Sequence, residues 1–435
     1  MSEKFIIKGG RPLQGTIEIR GCKNAATPIL AATLLTAEPC VIDNLPLIDD
    51  VYRMIELIKS LGAEVSWLGE RKVKIEAKTI VPEKLNQELV VKLRSSILLV
   101  GPLIARCGYA IIAQPGGCFI GARPLDTHFD MLKEMGVKIT VRKVKSHSGK
   151  ARKAEMNLYT FRAKERFLGG EIVLREFSVT ATENVLMACA LIVKKTTIKI
   201  AAAEPHVEDL MKFLGKMGVS IKGEGTHTVI IEGRRKLSGA RHSVIYDPIE
   251  AGTFILMAIA TKGKVMVKNV PVPYLDLFFK KLKEAGAKFA ITRNDCVIVN
   301  PAKKIKLVKI QALPYPGIPT DLQSIFGVLA TQAEGSTLIH DPLYEGRLKY
   351  LEELNKMGAE IVICDPHRAI VSGPTQLYGA EVGPFDLRGG AALVMAGLLA
   401  KGTTVISDIA PIDRGYEKIE ERLKALGADI RRIKS

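Results

Sequence analysis

The sequence predicts an α/β protein of two lobes, each assembled from three repeats of about 70 residues, with helices inside and strands outside. Three observations carry this reading. A short glycine motif ends a helical pattern six times, a more apolar helix recurs six times, and β-branched runs follow most copies of each. The motif reads Leu61-Gly-Ala-Glu-Val65, Met135-Gly-Val-Lys-Ile139, Met217-Gly-Val-Ser-Ile221, Ala285-Gly-Ala-Lys-Phe289, Met357-Gly-Ala-Glu-Ile361 and Leu426-Gly-Ala-Asp-Ile430. Its glycines lie 74, 82, 68, 72 and 69 residues apart. The first copy closes residues 51–61, apolar at i, i+3, i+4 and i+7, so the glycine is the left-handed stop of an amphipathic helix. The residues after it begin a strand.

The second recurring element spans residues 25–35, 95–105, 181–193, 251–260, 321–330 and 389–400. These segments are rich in small residues and apolar nearly all round, which places them in the interior. A period near 70 exceeds the roughly 20–50 residues of solenoid repeats, so three units per globular domain is the expected arrangement. The interval of 82 marks an insertion at residues 141–166, with nine Lys/Arg and two acids, a net +7 in 26 residues. Like charges repel and keep such a segment extended. It reads as a solvated hairpin extension or as a contact site for an anionic partner.

Composition narrows the function classes. The 435 residues are 47% hydrophobic and 25% charged, ordinary for a globular protein, which excludes disorder, collagen and coiled coil as the main architecture. The best apolar runs are about half the length of a membrane span, and the N-terminal residues carry charges and glycines where a signal peptide has its apolar core. The expectation is a cytoplasmic protein. Seven cysteines contain no CxxC pair, and the seven histidines contain no HxxxH, so neither a disulfide framework nor a metal site is expected. The net charge of +17 is divided among three readings: solvated surface, anionic small-molecule substrates, and nucleic acid or membrane surface. With aromatics at 6%, nucleic acid is disfavoured. Lys280, Lys281 and Lys283 read as a solvated helix face.

The least ordinary stretch runs from Gln114 to His128. Three glycines and a proline surround Cys118, and Pro124 suits the first position of a helix from Leu125 to Met135. A thiol near a helix start and near Arg123 is suited to proton donation or nucleophilic attack; buried packing is the ordinary alternative. The loop matches neither GxGxxG nor a P-loop. Lys23, beside Asn24, opens a helix against its dipole, which points either to an anion there or to an exposed lysine. Arg94 enters the second buried helix similarly. Asp321 opens the fifth after three prolines and reads as a helix cap. Arg347, Arg388 and Arg414 are further cations at element starts.

The combination of Lys23-Asn24, the loop Pro115-Gly-Gly-Cys-Phe-Ile-Gly-Ala-Arg-Pro124, Pro319-Thr-Asp321, Asp386-Leu-Arg388 and Ile412-Asp-Arg-Gly-Tyr416 resembles the enolpyruvyl transferase family. The likeness lies with its branch that acts on UDP-N-acetylglucosamine, and it covers essentially the whole chain in order. It implies a two-domain inside-out α/β barrel, one domain at residues 22–240 and the other combining 1–21 with 241–435. It also implies transfer of the enolpyruvyl group of phosphoenolpyruvate to the sugar 3-hydroxyl with release of phosphate, the first committed step of peptidoglycan synthesis, without a cofactor or metal. By the same resemblance Cys118 is the general acid, able to form an adduct with phosphoenolpyruvate and to be alkylated by fosfomycin, and Asp321 accepts the hydroxyl proton. Lys23, Arg123, Arg388 and Arg414 bind phosphate and carboxylate, with Arg347 in support. Asn24, Arg94, Pro124, Leu125, Asp126, Thr127, Ser178, Val179 and Leu343 line the sugar-nucleotide site. Two departures bear on nucleotide affinity rather than on transfer: Glu176 stands where the family often has lysine, and Pro248 follows Asp247 where arginine is usual. The shikimate-pathway relative, 5-enolpyruvylshikimate-3-phosphate synthase, is disfavoured by the Pro-Gly-Gly-Cys loop. A non-catalytic paralogue that binds UDP-sugar is disfavoured by retention of Cys118, Asp321 and the cations.

Overall fold

The computed structural model describes residues 3–116, 120–121, 123–145, 155–163 and 169–434. Its described residues form two compact units, one of residues 21–116 and 123–245, the other of residues 3–20, 120–121 and 246–434. Each unit carries three sheets and one hydrophobic core.

All six motif glycines adopt positive φ, at 106°, 78°, 107°, 81°, 91° and 89° in chain order. A left-handed residue costs little only for glycine, so each amphipathic helix stops there and the chain turns into a strand. The apolar helices are Lys23–Ala32, Val100–Cys107, Val179–Cys189, Pro248–Ala260, Thr320–Ala330 and Leu387–Leu399. Every residue of Pro248–Ala260 is buried. At about 1.5–3 kcal/mol for each large apolar side chain removed from water, Phe254, Ile255, Leu256 and Met257 alone contribute on the order of 10 kcal/mol before chain entropy opposes them. In the second unit the three apolar helices pack on one another. Small residues permit the approach: a Cβ at Gly252 would lie 2.7 Å from the Leu322 side chain, and one at Gly327 only 1.9 Å from the Tyr350 hydroxyl. The second apolar helix departs from the expected single segment. It begins as the 3-10 turn Arg94–Leu99, because Pro102 supplies no N–H and its ring crowds the carbonyl four residues earlier.

The sheets share one plan. The strand after an apolar helix pairs parallel to an edge strand on one side and antiparallel to a hairpin on the other, as Gly335–His340 does with Lys309–Gln311 and Arg368–Gly373. The sheet of Tyr109–Ala113, Glu155–Ala163 and Val137–Lys145 has no parallel edge strand among the described residues. Its two nine-residue strands pair from Val137↔Ala163 to Lys145↔Glu155, so the flanks of the basic insertion are a hairpin; residues 146–154 and 164–166 lie outside the described residues. The last sheet is completed by the N-terminus. Strand Glu3–Lys8 lies antiparallel between Thr403–Ile406 and Asp429–Lys434, with Phe5 opposite both Ile406 and Arg432. Among the described residues no helix is long and apolar enough to cross a membrane.

Candidate active site

Cys118 lies outside the described residues, and the remaining candidate side chains fall into two groups, one in each unit. In the unit of residues 21–245, Lys23 is the first residue of helix Lys23–Ala32. The anion that its position demands is supplied by the chain itself: its Nζ lies 3.0 Å from Asp50 Oδ2, with the two side chains 17% and 2% exposed. Asp50 went unnoticed in the sequence because it reads as a first-turn acid of an ordinary amphipathic helix. Asn24, the next residue, is half-buried.

Arg94 donates to the carbonyls of Arg123 at 2.5 Å and Pro124 at 3.5 Å. That anchor holds the turn outside the helix, which spans Asp126–Glu134 with Leu125 at its cap. Pro124 therefore sits two residues ahead of the first helical position instead of occupying it. Asp126 is exposed on the first turn, whereas Leu125 and Thr127 are buried. The Thr127 hydroxyl donates to Glu176 Oε1 at 2.8 Å, so the carboxylate that replaces the usual lysine is engaged with a candidate nucleotide residue. Ser178 caps helix Val179–Cys189, its Oγ accepting from the Ala181 N–H at 3.4 Å. His128, left without a role in the sequence, is 3% exposed. Burial first, then the charge of Arg94, pushes its pKa down to about 3, so it is neutral at physiological pH.

In the other unit Asp321 is not a cap. Pro319 occupies the cap position of helix Thr320–Ala330, and the Asp321 carboxylate turns instead toward two arginines. Arg347 Nη2 donates to Oδ1 at 2.8 Å; Arg388 Nε and Nη2 lie 3.1 and 3.0 Å from Oδ2. The arginine side chains are 4% and 3% exposed, that of Asp321 23%. Arg347 spends its other donors on Thr320 Oγ1 at 3.1 Å and Asp386 Oδ1 at 3.0 Å. Asp386 also caps helix Leu387–Leu399, accepting from the backbone of Arg388 and Gly389. Burial, the largest single effect, lowers both guanidinium pKa values; the combined charges of Asp321, Asp386 and Asp341 at Arg347, and of Asp321, Tyr416 and Asp247 at Arg388, outweigh it and raise them. Arg388 stacks 5.2 Å from the Tyr416 ring centre. Asp341, fully buried and hydrogen-bonded to Thr320, accepts from the N–H of Leu343 at 3.0 Å and so fixes that exposed residue. Arg414 is half-buried and follows the short helix Ala410–Asp413. Pro248 is the first residue of helix Pro248–Ala260, a position where proline is favoured, beneath the Asp247 cap.

This arrangement can hold a partly exposed carboxylate between two buried guanidinium groups and present cations at helix starts, the equipment for acting on an anionic substrate. Among the described residues no three His, Cys, Asp or Glu side chains gather as metal ligands. Residues 7–423 match the family model described as EPSP synthase (3-phosphoshikimate 1-carboxyvinyltransferase). The chain belongs to the EPSP synthase family of enolpyruvyl transferases. Within it, the chain is 42% identical to UDP-N-acetylglucosamine 1-carboxyvinyltransferase 1 of Caldanaerobacter subterraneus subsp. tengcongensis, over 99% of this chain and all of that protein. It is 41% identical to UDP-N-acetylglucosamine 1-carboxyvinyltransferase of Coxiella burnetii, over all of this chain and 96% of that one. The enolpyruvyl transferase NikO from Streptomyces tendae shares the fold, with a TM-score of 0.86, 24% identity and essentially complete coverage of both chains. The sheets of this chain are carried by buried helices, in keeping with the inside-out α/β expectation.

Proposed function

We propose that this enolpyruvyl transferase joins phosphoenolpyruvate to the 3-hydroxyl of UDP-N-acetylglucosamine, in the cytoplasm, as the committing step of peptidoglycan synthesis. The observation that carries the reading is Asp321, a carboxylate with one oxygen on each of two buried arginines and its side chain still 23% exposed. Such a group stays ionised and oriented, as a base toward a sugar hydroxyl must be. Whole-length relatives at 41–42% identity that carry this activity in their names support the choice of acceptor.

The steps follow from the chemistry. The acceptor oxygen attacks C2 of phosphoenolpyruvate while its proton passes to Asp321, and Cys118 delivers a proton to C3, turning the methylene into a methyl group. The tetrahedral ketal then returns a C3 proton to the Cys118 thiolate and breaks its C2–O bond to release phosphate, restoring the double bond as an enolpyruvyl ether. Lys23, Arg123, Arg388 and Arg414 neutralise phosphate and carboxylate, and Arg347 holds Asp321. Asn24, Arg94, Pro124, Leu125, Asp126, Thr127, Ser178, Val179 and Leu343 bind the sugar nucleotide. A phosphate-release assay with phosphoenolpyruvate and either UDP-N-acetylglucosamine or 3-phosphoshikimate tests this. Release with the first acceptor alone is expected; release with the second alone, or with neither, overturns the proposal.

A further inference from the structure

In strand Asp429–Lys434, Arg432 is bonded to three carboxylates at once. Its Nε donates to Glu420 at 2.6 Å, Nη1 to Glu3 at 2.8 Å and to Asp413 Oδ2 at 3.0 Å, and Nη2 to Asp413 Oδ1 at 2.6 Å and Glu420 at 3.3 Å. Five bonds use every guanidinium N–H, and the group lies 5.2 Å from the Phe5 ring centre. Tying two strands together needs one such bond. The bidentate fork instead grips Asp413, the residue immediately before Arg414.

The far side of that turn is held as well. The N–H groups of Gly415 and Tyr416 both bond Ile412, and the Tyr416 hydroxyl bonds Thr253 at 2.9 Å. Gly415 is seated so tightly that a Cβ there would lie 2.5 Å from Leu387. The backbone of Arg414 is thus clamped on both flanks, and Arg432 holds the flank toward Asp413. Both Asp413 oxygens are committed to Arg432. Without it, that carboxylate loses its bidentate cation one residue from Arg414 and is better able to compete with an anionic ligand for the guanidinium.

We propose that Arg432 is a positioning residue for phosphoenolpyruvate: it fixes the turn that presents Arg414 and keeps Asp413 from competing with substrate. This rests on the reading of Arg414 as a phosphoenolpyruvate-binding cation. The test compares steady-state kinetics and melting of the full chain bearing Arg432→Gln, Arg432→Lys, Arg414→Ala, and Arg432→Gln combined with Asp413→Asn. Arg432→Gln is expected to raise KM for phosphoenolpyruvate about 10-fold or more, the scale of one lost charge-assisted contact, with KM for UDP-N-acetylglucosamine within about 2-fold. Lysine keeps the charge without the fork and should fall between, which preserves the test if the glutamine variant does not fold. Adding Asp413→Asn should recover part of the loss, which a purely structural tie would not. Equal changes in both KM values, or no recovery in the double variant, overturns the proposal. If Arg414→Ala leaves KM for phosphoenolpyruvate unchanged, it is the reading of Arg414 that fails.

Discussion

Replacing Asp321 by asparagine separates what this carboxylate does for the fold from what it does for turnover. The side chain accepts three charge-assisted bonds from Arg347 and Arg388, both nearly fully buried. Asparagine retains one acceptor oxygen, but its amide N–H₂ must face a guanidinium; Arg347 keeps its bond to Asp386, whereas the Arg388 guanidinium loses its bonds to the Asp321 carboxylate. Removing one partner of a buried pair costs about 3–5 kcal/mol. Because the Asp321 side chain is 23% exposed, water recovers part of this and the lower end, about 3 kcal/mol, applies. For a body of about 200 residues this corresponds to a fall of roughly 6–12 °C in Tm. Differential scanning calorimetry should resolve that loss, and phosphate release at 25 °C, with circular dichroism confirming the folded state, should show turnover about 10²-fold lower or more. A melting point within about 2 °C of the parent protein would refute the two-arginine clamp as an energetic element. A folded variant with near-normal turnover would remove Asp321 as the base.

Other perturbations follow from the same reasoning. Cys118→Ser should abolish turnover because a hydroxyl is too weak an acid near neutrality, whereas Cys118→Asp should keep some; intact-mass spectrometry after fosfomycin should place one adduct on Cys118, and an adduct elsewhere with Cys118 free would sink the assignment. Glu183 is fully buried, and desolvation, then the neighbouring Glu204 charge, holds its pKa well above the usual carboxylate range. A raised acid contributes full stability below its unfolded pKa and loses it as pH rises toward the folded one. Glu183→Gln should therefore melt increasingly higher than the parent from about pH 5 to 8, and a pH-independent difference would contradict this. His128 has the opposite sign: its stability is present above its unfolded pKa near 6.5 and is lost as pH falls toward about 3, so His128→Gln should flatten the acid limb of the melting profile. Gly136→Ala, at φ 78° with open space around it, should cost about 1–2 kcal/mol, and Gly62→Ala, at φ 106° with Thr79 O 2.8 Å from the new Cβ, distinctly more; equal denaturant midpoint shifts would count against the packing argument.

What the sequence alone determined was everything carried by local periodicity. The six glycines mark real left-handed helix stops because only glycine takes positive φ cheaply, and the apolar helices lie inside because no polar face was available to meet water. Lys23, Arg94, Arg347 and Arg388 stand at element starts, as their neighbours in the chain implied, whereas Arg414 follows the end of the short helix Ala410–Asp413. Tertiary structure alone decided what each charge faces. Asp321 looked like a cap because local geometry offers an acid at a helix start nothing else, yet its arginines come from 26 and 67 residues away. Lys23 meets Asp50 across a helix pair, Thr127 meets Glu176, and Arg432 joins Glu3 from the opposite end of the chain. A side chain's hydrogen-bond partner depends on which surfaces pack together. That packing is set by the sum of many apolar contacts, to which no single polar residue leaves a periodic trace.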